Sequence, residues 1–190
     1  VGGGRRDGTG AVVLAVQAGS AACLQLLLER GADATQSGMF SELLGDFALF
    51  TVCCALGRVE CARLLLPGPA AARELALQTA VEVALQSGQC ASMAFLLDAG
   101  ADIDVLQQGD GEGGEEAGEA DDRLAPLIIA CAEGDLPMVQ LLSSRGADRL
   151  APTESEEAEA EHASLAEEVA ADEGPNPAVH EWLIDSRGWA

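Results

Sequence analysis

The chain has no tyrosine and no lysine, and its aromatic residues stop at four phenylalanines and two tryptophans. With so few large rings, a core must be filled by small and aliphatic side chains, and the abundant Ala, Leu and Val favour packed helices. Ten arginines supply every cationic side chain against 32 acidic residues, for a net charge of -22. That balance opposes binding to nucleic acid or to an anionic membrane, since both are polyanions. It suits solubility, and it suits a basic protein partner. No run approaches the ~18 consecutive apolar residues of a membrane helix. There are two histidines and no CxxC pair among Cys23, Cys53, Cys54, Cys61, Cys90 and Cys131, so neither a zinc site nor another cofactor is expected. The cysteines read as reduced thiols, which places the protein inside the cell, in the cytoplasm first and with the nucleus left open.

What is present is a pattern that returns. The stretches "LAVQAGSAACLQLLLERGADA" (14–34), "VCCALGRVECARLLLPG" (52–68), "VALQSGQCASMAFLLDAGADID" (83–104) and "IACAEGDLPMVQLLSSRGAD" (129–148) share one plan. An apolar segment runs into a glycine, and a second apolar segment ends in a leucine-rich turn, usually followed by G-A-D. The equivalent glycines are Gly19, Gly57, Gly88 and Gly134, spaced by 38, 31 and 46 residues. A weaker fifth unit has Gly174, 40 residues further on, with Trp182, Leu183 and Ile184 in the leucine-rich place. Apolar positions within "CLQLLL" and "SMAFLL" recur at helical spacing and need a neighbour to cover them. The mid-unit glycine permits a tight turn between two antiparallel helices, and the glycine of G-A-D ends the second helix in a left-handed conformation. Each unit is therefore a helix hairpin followed by a loop, and stacked units share one core.

These units resemble the ankyrin repeat, whose period is roughly 33 residues and whose unit opens with T-P-L-H-x-A. "LLLERGADA", "FLLDAGADID" and "LLSSRGAD" carry the likeness. The opening motif is mostly gone: this chain has "GAVV", "ALFT", "TAVE" and "APLI", retaining only Thr79, Pro126 and Leu127. The resemblance implies an all-α solenoid of four to five helix-turn-helix repeats with hairpin loops. It covers residues 9–150 in four divergent repeats and, more faintly, an acidic linker with a fifth or capping repeat at 151–190. Residues 1–8 are read as a flexible leader. "AVVLAVQAG" after "RR" is better explained by the first repeat than as a signal peptide. In the family, the Thr and His of the opening motif tie the hairpins together; without them, stacking should depend more on Ala and Leu packing.

Other features are given ordinary roles. Cys23 and Cys61 lie four residues after the turn glycine, Cys54 and Cys131 three before it, and all four are expected to face the core as small hydrophobes. Cys90 is left as an exposed candidate. Trp182, with the inward stripe of Leu165 and Val169 before it, is expected to pack the last unit on the fourth. His162 and His180 have no nucleophile in a suggestive spacing, so no catalytic triad assembles. "VGGGRRDGTG" lacks the G-K-[ST] ending of a phosphate loop.

The stretch "GDGEGGEEAGEADD", residues 109–122, holds seven acidic residues and five glycines. A calcium loop needs Gly at its sixth place and Glu at its twelfth. Counting from Asp102 those places hold Gln107 and Gly113, and counting from Asp110 they hold Glu115 and Asp121, so the calcium reading fails. The stretch falls where the glycine spacing is longest, which makes it an insertion between the third and fourth repeats. A surface insertion of this kind costs little in loop closure. Two readings stand: an acidic finger that attracts a basic partner, or a solvated spacer. For the chain as a whole the expectation is a non-catalytic protein-interaction scaffold or adaptor, monomeric as an isolated domain. The candidate contacts are Gln17, Asp33, Gln86, Asp102, Asp104, Asp110, Glu112, Glu115, Glu116, Glu133 and Asp148. The alternative, prompted by the absent initiator Met, is a structural ankyrin-repeat fragment of a larger protein whose activity lies elsewhere.

Overall fold

In the computed structural model the described residues are 8–34, 48–104, 107–108, 123–147, 166, 169–170 and 176–186. They form nine helices and one two-residue ladder, and Ala166, Val169 and Ala170 are helical besides. The helices are α1 (Gly8–Gln17), α2 (Ala21–Glu29), α3 (Ala48–Ala55), α4 (Val59–Leu65), α5 (Ala70–Gln86), α6 (Cys90–Asp98), α7 (Pro126–Glu133), α8 (Leu136–Ser144) and α9 (Pro177–Asp185). The ladder pairs β1 (Gln107–Gln108) with β2 (Arg123–Leu124) in antiparallel fashion. The chain divides into two compact units, Val1–Ala101 and Asp102–Ala190.

In the first unit α1–α2, α3–α4 and α5–α6 are three helix hairpins, and each packs on the next: α1 on α3, α2 on α4, α3 on α5 and on α6. Each hairpin turns at a glycine of positive φ: Gly19 (67°), Gly57 (66°) and Gly88 (62°). That left-handed geometry is open to glycine and costs other residues about 1–2 kcal/mol. Burial follows the turn glycine with a fixed register. The residue four before it is small and buried in every hairpin, namely Ala15, Cys53 and Ala84, which lets neighbouring helices approach closely. Val16, Cys54 and Leu85 follow it in the core. On the second helix the place five after the glycine is buried each time, by Leu24, Ala62 and Met93.

The three second helices of this unit end in two ways. After α2 and α6 the chain caps on Gly31 (φ 81°) and Gly100 (φ 98°), as G-A-D leads one to expect. After α4 there is no such cap; Leu66 is extended and Pro67 stops the helix. The next helix then starts only four residues later. α5 runs for 17 residues, so "TAVE" lies inside a helix instead of opening a repeat. The Ala-rich run from residue 70 is a strong helix former and absorbs the segment where a hairpin loop was expected. Thr79 accordingly donates its hydroxyl to Leu75 O within α5, at 3.0 Å. Arg73 of the same helix folds back to the carbonyls of Pro67 and Gly68, at 2.9 and 3.3 Å, and fixes the short connection.

In the second unit α7 and α8 form the fourth hairpin about Gly134 (φ 71°), with Leu127, Ala130, Cys131 and Val139 buried in the same register. Pro126 opens α7 as its first residue, where a missing N–H costs nothing, behind an extended Ala125. α8 ends on Gly146 (φ 87°). α9 packs on α8 through Val179 and Leu183, both 0% exposed, while Trp182 is half-buried and Ile184 is exposed. The inward places on the preceding helical stretch belong to Ala166 and Ala170, with Val169 only half-buried. Leu165, His162, Gly174 and Trp189 lie outside the described residues.

Candidate functional site

The residue after each turn glycine, Ser20, Arg58, Gln89 or Asp135, sits at the N-cap of a second helix, and Asn176 is the N-cap of α9. Ser20 and Asp135 cap in the ordinary way, accepting the backbone N–H of Cys23 (3.4 Å) and Met138 (3.1 Å). Arg58 and Gln89 make no such cap. They reach back to the preceding hairpin instead. Arg58 Nη2 donates to Gln17 O at 3.4 Å, and its side chain lies so close over Gly19 that a β-carbon there would meet Arg58 Cδ at 2.8 Å. A β-carbon on Gly57 would meet Gln89 Oε1 at 2.5 Å. Asn176 does both: its Oδ1 accepts from Ala178 N and its Nδ2 donates to Gly134 O, each at 3.1 Å.

A buried contact joins the second and third hairpins. Ser92, 1% exposed, donates its hydroxyl to Cys54 O at 2.8 Å. The Arg63 guanidinium of α4 lies 4.9 Å from the centre of the Phe95 ring of α6 and adds a cation–π contact between the same hairpins. Polar ties between hairpins therefore exist, but they run through residues other than the Thr and His of the family's opening motif. Nothing in one repeat alone announces them. The available signal was the polar side chain following every turn glycine.

The candidate contact residues divide into four groups. Gln17 and Gln86 end α1 and α5, two residues before their turn glycines, and both are exposed. Asp33 is exposed beyond α2, and Glu133 is exposed at the end of α7. Asp102 is exposed and Asp104 half-buried; Asp102 Oδ1 accepts the backbone N–H of Asp104 at 3.0 Å, closing a small turn. The structure brings these last two together and gives Gln17 and Gln86 the same repeat position. Asp110, Glu112, Glu115, Glu116 and Asp148 lie outside the described residues. What is described is the frame on either side of the acidic stretch: Gln107 pairs with Leu124 and Gln108 with Arg123 in antiparallel register.

The cysteines separate by environment. Cys53, Cys54, Cys61 and Cys131 are buried and Cys90 is half-buried. Burial pushes the Cys54 thiol up to about 12 and raises Cys53 still further, where nearby Cys61 and Cys54 add to the effect. Desolvation also raises Cys61, against the pull of Arg58. Such thiols are poor nucleophiles at neutral pH. Cys23 does not face the core as expected; it is exposed. The place four residues after the turn glycine is covered by the preceding hairpin, as Ser92 shows through its bond to Cys54 O, and α1–α2 has no described hairpin before it. Among the described residues no group of three or more His, Cys, Asp or Glu is arranged to hold a metal ion, and no helix is long and apolar enough to cross a membrane.

A family model of ankyrin repeats in three copies matches residues 12–107, and a model of the single ankyrin repeat matches 122–154. The chain belongs to the ankyrin-repeat family. Its fold is accordingly an all-α solenoid-type array of helix hairpins. The two matched stretches leave out residues 108–121, which coincide almost wholly with the acidic insertion. No curated protein matches the chain.

Proposed function

We propose that the chain is a non-catalytic protein-interaction scaffold or adaptor that binds through the turn-end surface of its hairpins. Ankyrin repeats are generally protein-interaction modules, and their proteins are typically not enzymes. The observation that carries the reading is the division of labour along each first helix. Places four and three before the turn glycine are buried in every hairpin, whereas Gln17, Ala18, Leu56 and Gln86 at the turn ends of the first unit stay exposed. Leu56 is 45% exposed among these turn ends, an apolar anchor of the kind that interface centres use. Asp33, Asp102, Asp104 and Glu133 would add negative charge near hairpin ends and loops, and Asp148 of the fourth G-A-D would add to the total.

The acidic stretch 109–122 supplies the charge that selects a basic partner in this reading, through Asp110, Glu112, Glu115, Glu116 and their neighbours. Long-range attraction of this type raises the association rate and falls with salt. The pairing Gln108↔Arg123 supplies a clean deletion. Removing residues 110–121 leaves Gly109–Asp122 as a two-residue turn with glycine first, the sequence a type II′ hairpin favours. A partner captured from the source cell with the complete chain is then titrated with both forms at low and high salt. Weaker binding by the deletion at low salt, converging at high salt, supports the acidic finger. Equal affinity at every salt concentration reduces the stretch to a spacer.

A further inference from the structure

We propose that the outer face of the α1–α2 hairpin is an interior repeat interface, and that its occupant is one further ankyrin-type helix hairpin preceding α1 in the polypeptide. Eight residues before the turn glycine, Leu49 and Ala80 are buried in the second and third hairpins, while Ala11 of the first is exposed. Five before it, Val52 and Val83 are half-buried, while Leu14 is 65% exposed. Four after it, Cys61 and Ser92 are each 1% exposed, while Cys23 is exposed. These three places are covered in the later hairpins because each has another hairpin before it. The Ser92 hydroxyl on Cys54 O and the Arg58 side chain on Gly19 and Gln17 O mark that direction of contact.

The side chains at these places are themselves of the inner-face kind. A terminal repeat in contact with water needs a polar outer side. Ala11, Leu14 and Cys23 are instead the side-chain types of an inner face, matching Leu49, Val52 and Cys61 in the next hairpin. The occupant must therefore offer what α1–α2 offers to α3–α4: two antiparallel helices with small and aliphatic side chains at the same spacing. A second copy of this chain is a poor occupant, because two bodies of net charge -22 repel each other.

The test uses the 190-residue chain and the same chain with one consensus ankyrin hairpin added upstream. Alkylation of Cys23 is followed by mass spectrometry, with Cys61, buried at the equivalent place, as the protected reference. The added hairpin is expected to gain helical signal and to slow Cys23 alkylation by about tenfold or more. A single hairpin cannot bury its apolar face alone, so a missing gain in helix means that it has not docked and overturns the proposal. An unchanged Cys23 rate overturns it as well. Leu14→Glu is expected to leave the unfolding midpoint of the unextended chain unchanged while abolishing the protection of Cys23. A large loss of stability in the unextended chain would show that the face is already covered and would overturn the proposal. So would protection of Cys23 that rises with the concentration of the unextended chain, since a second copy would then be the occupant.

Discussion

Replacing Ser92 with alanine removes one buried hydrogen bond between neighbouring hairpins and little else. The hydroxyl donates to Cys54 O at 2.8 Å, from a side chain only 1% exposed. Its loss does not orphan the acceptor, because Cys54 O also receives the backbone N–H of Gly57 at 3.2 Å. The larger penalty for a stranded buried partner does not apply, which leaves the net worth of one neutral hydrogen bond, about 1 kcal/mol. Alanine is the better helix former and offsets part of this within α6, by a few tenths of a kcal/mol. Ala91→Ser, at the exposed neighbouring position of the same helix, measures that offset with the opposite sign. Urea unfolding followed by circular dichroism on both variants gives the corrected value. For a unit of this size, about 1 kcal/mol corresponds to a midpoint lower by roughly 4–8 °C in a thermal scan. A corrected stability equal to that of the parent would refute the claim that this bond helps to hold the hairpins together.

Three further perturbations address other parts of the same frame. Gly31→Ala meets open space at φ 81° and should cost only the left-handed strain, about 1 kcal/mol, whereas Gly19→Ala must also displace Arg58 and should cost more in denaturant unfolding. Adding Arg58→Ala should remove the excess, and an excess that persists in the double variant would disprove the contact. Asn176→Ala should destabilise the second unit by about 1–2 kcal/mol, and Asn176→Asp, which keeps the cap on Ala178 but has no donor for Gly134 O, should recover part of that loss. Equal losses for the two would leave the cap without weight. The buried thiols set an alkaline limit: Cys54 titrates near 9.0 when unfolded and is pushed up to about 12 by burial, and Cys53 is raised further. Their stabilising contribution is present below pH 9 and is lost as the pH rises towards the folded values. Unfolding midpoints measured from pH 8 upward should therefore fall, and a Cys53→Ala, Cys54→Ala variant should show a flatter decline.

The hairpins were legible because glycine is the residue that a left-handed turn demands. Gly19, Gly57, Gly88 and Gly134 all turn with positive φ, as do Gly31, Gly100 and Gly146 at the ends of second helices. The third repeat misled for the opposite reason. Thr79 looked like a relic of an opening motif, but the Ala-rich run before it makes helix on its own strength, and a local motif cannot outweigh a continuous helical segment. Cys23 shows a different limit. Its place is that of buried Cys61, yet burial depends on the neighbouring hairpin, and a single repeat sequence carries no record of its neighbour. The back-reaching side chains of Arg58, Gln89 and Asn176 were hidden likewise, since each contact spans residues distant in sequence. Of the candidate site, exposure at Gln17, Asp33, Gln86, Asp102 and Glu133 followed from helix ends and loops, while Asp104 turned out half-buried in the turn that Asp102 closes.

The claim that the turn ends form the binding surface is tested most directly by Gln17→Ala, Leu56→Ala and Gln86→Ala in one chain. All three side chains are exposed, so helical content and unfolding midpoint should match the parent. Titration calorimetry against the captured partner should then show affinity lower by about tenfold or more, as truncation of central contacts produces. An unchanged affinity in a chain that folds as well as the parent would contradict the account and move the binding surface elsewhere on the molecule.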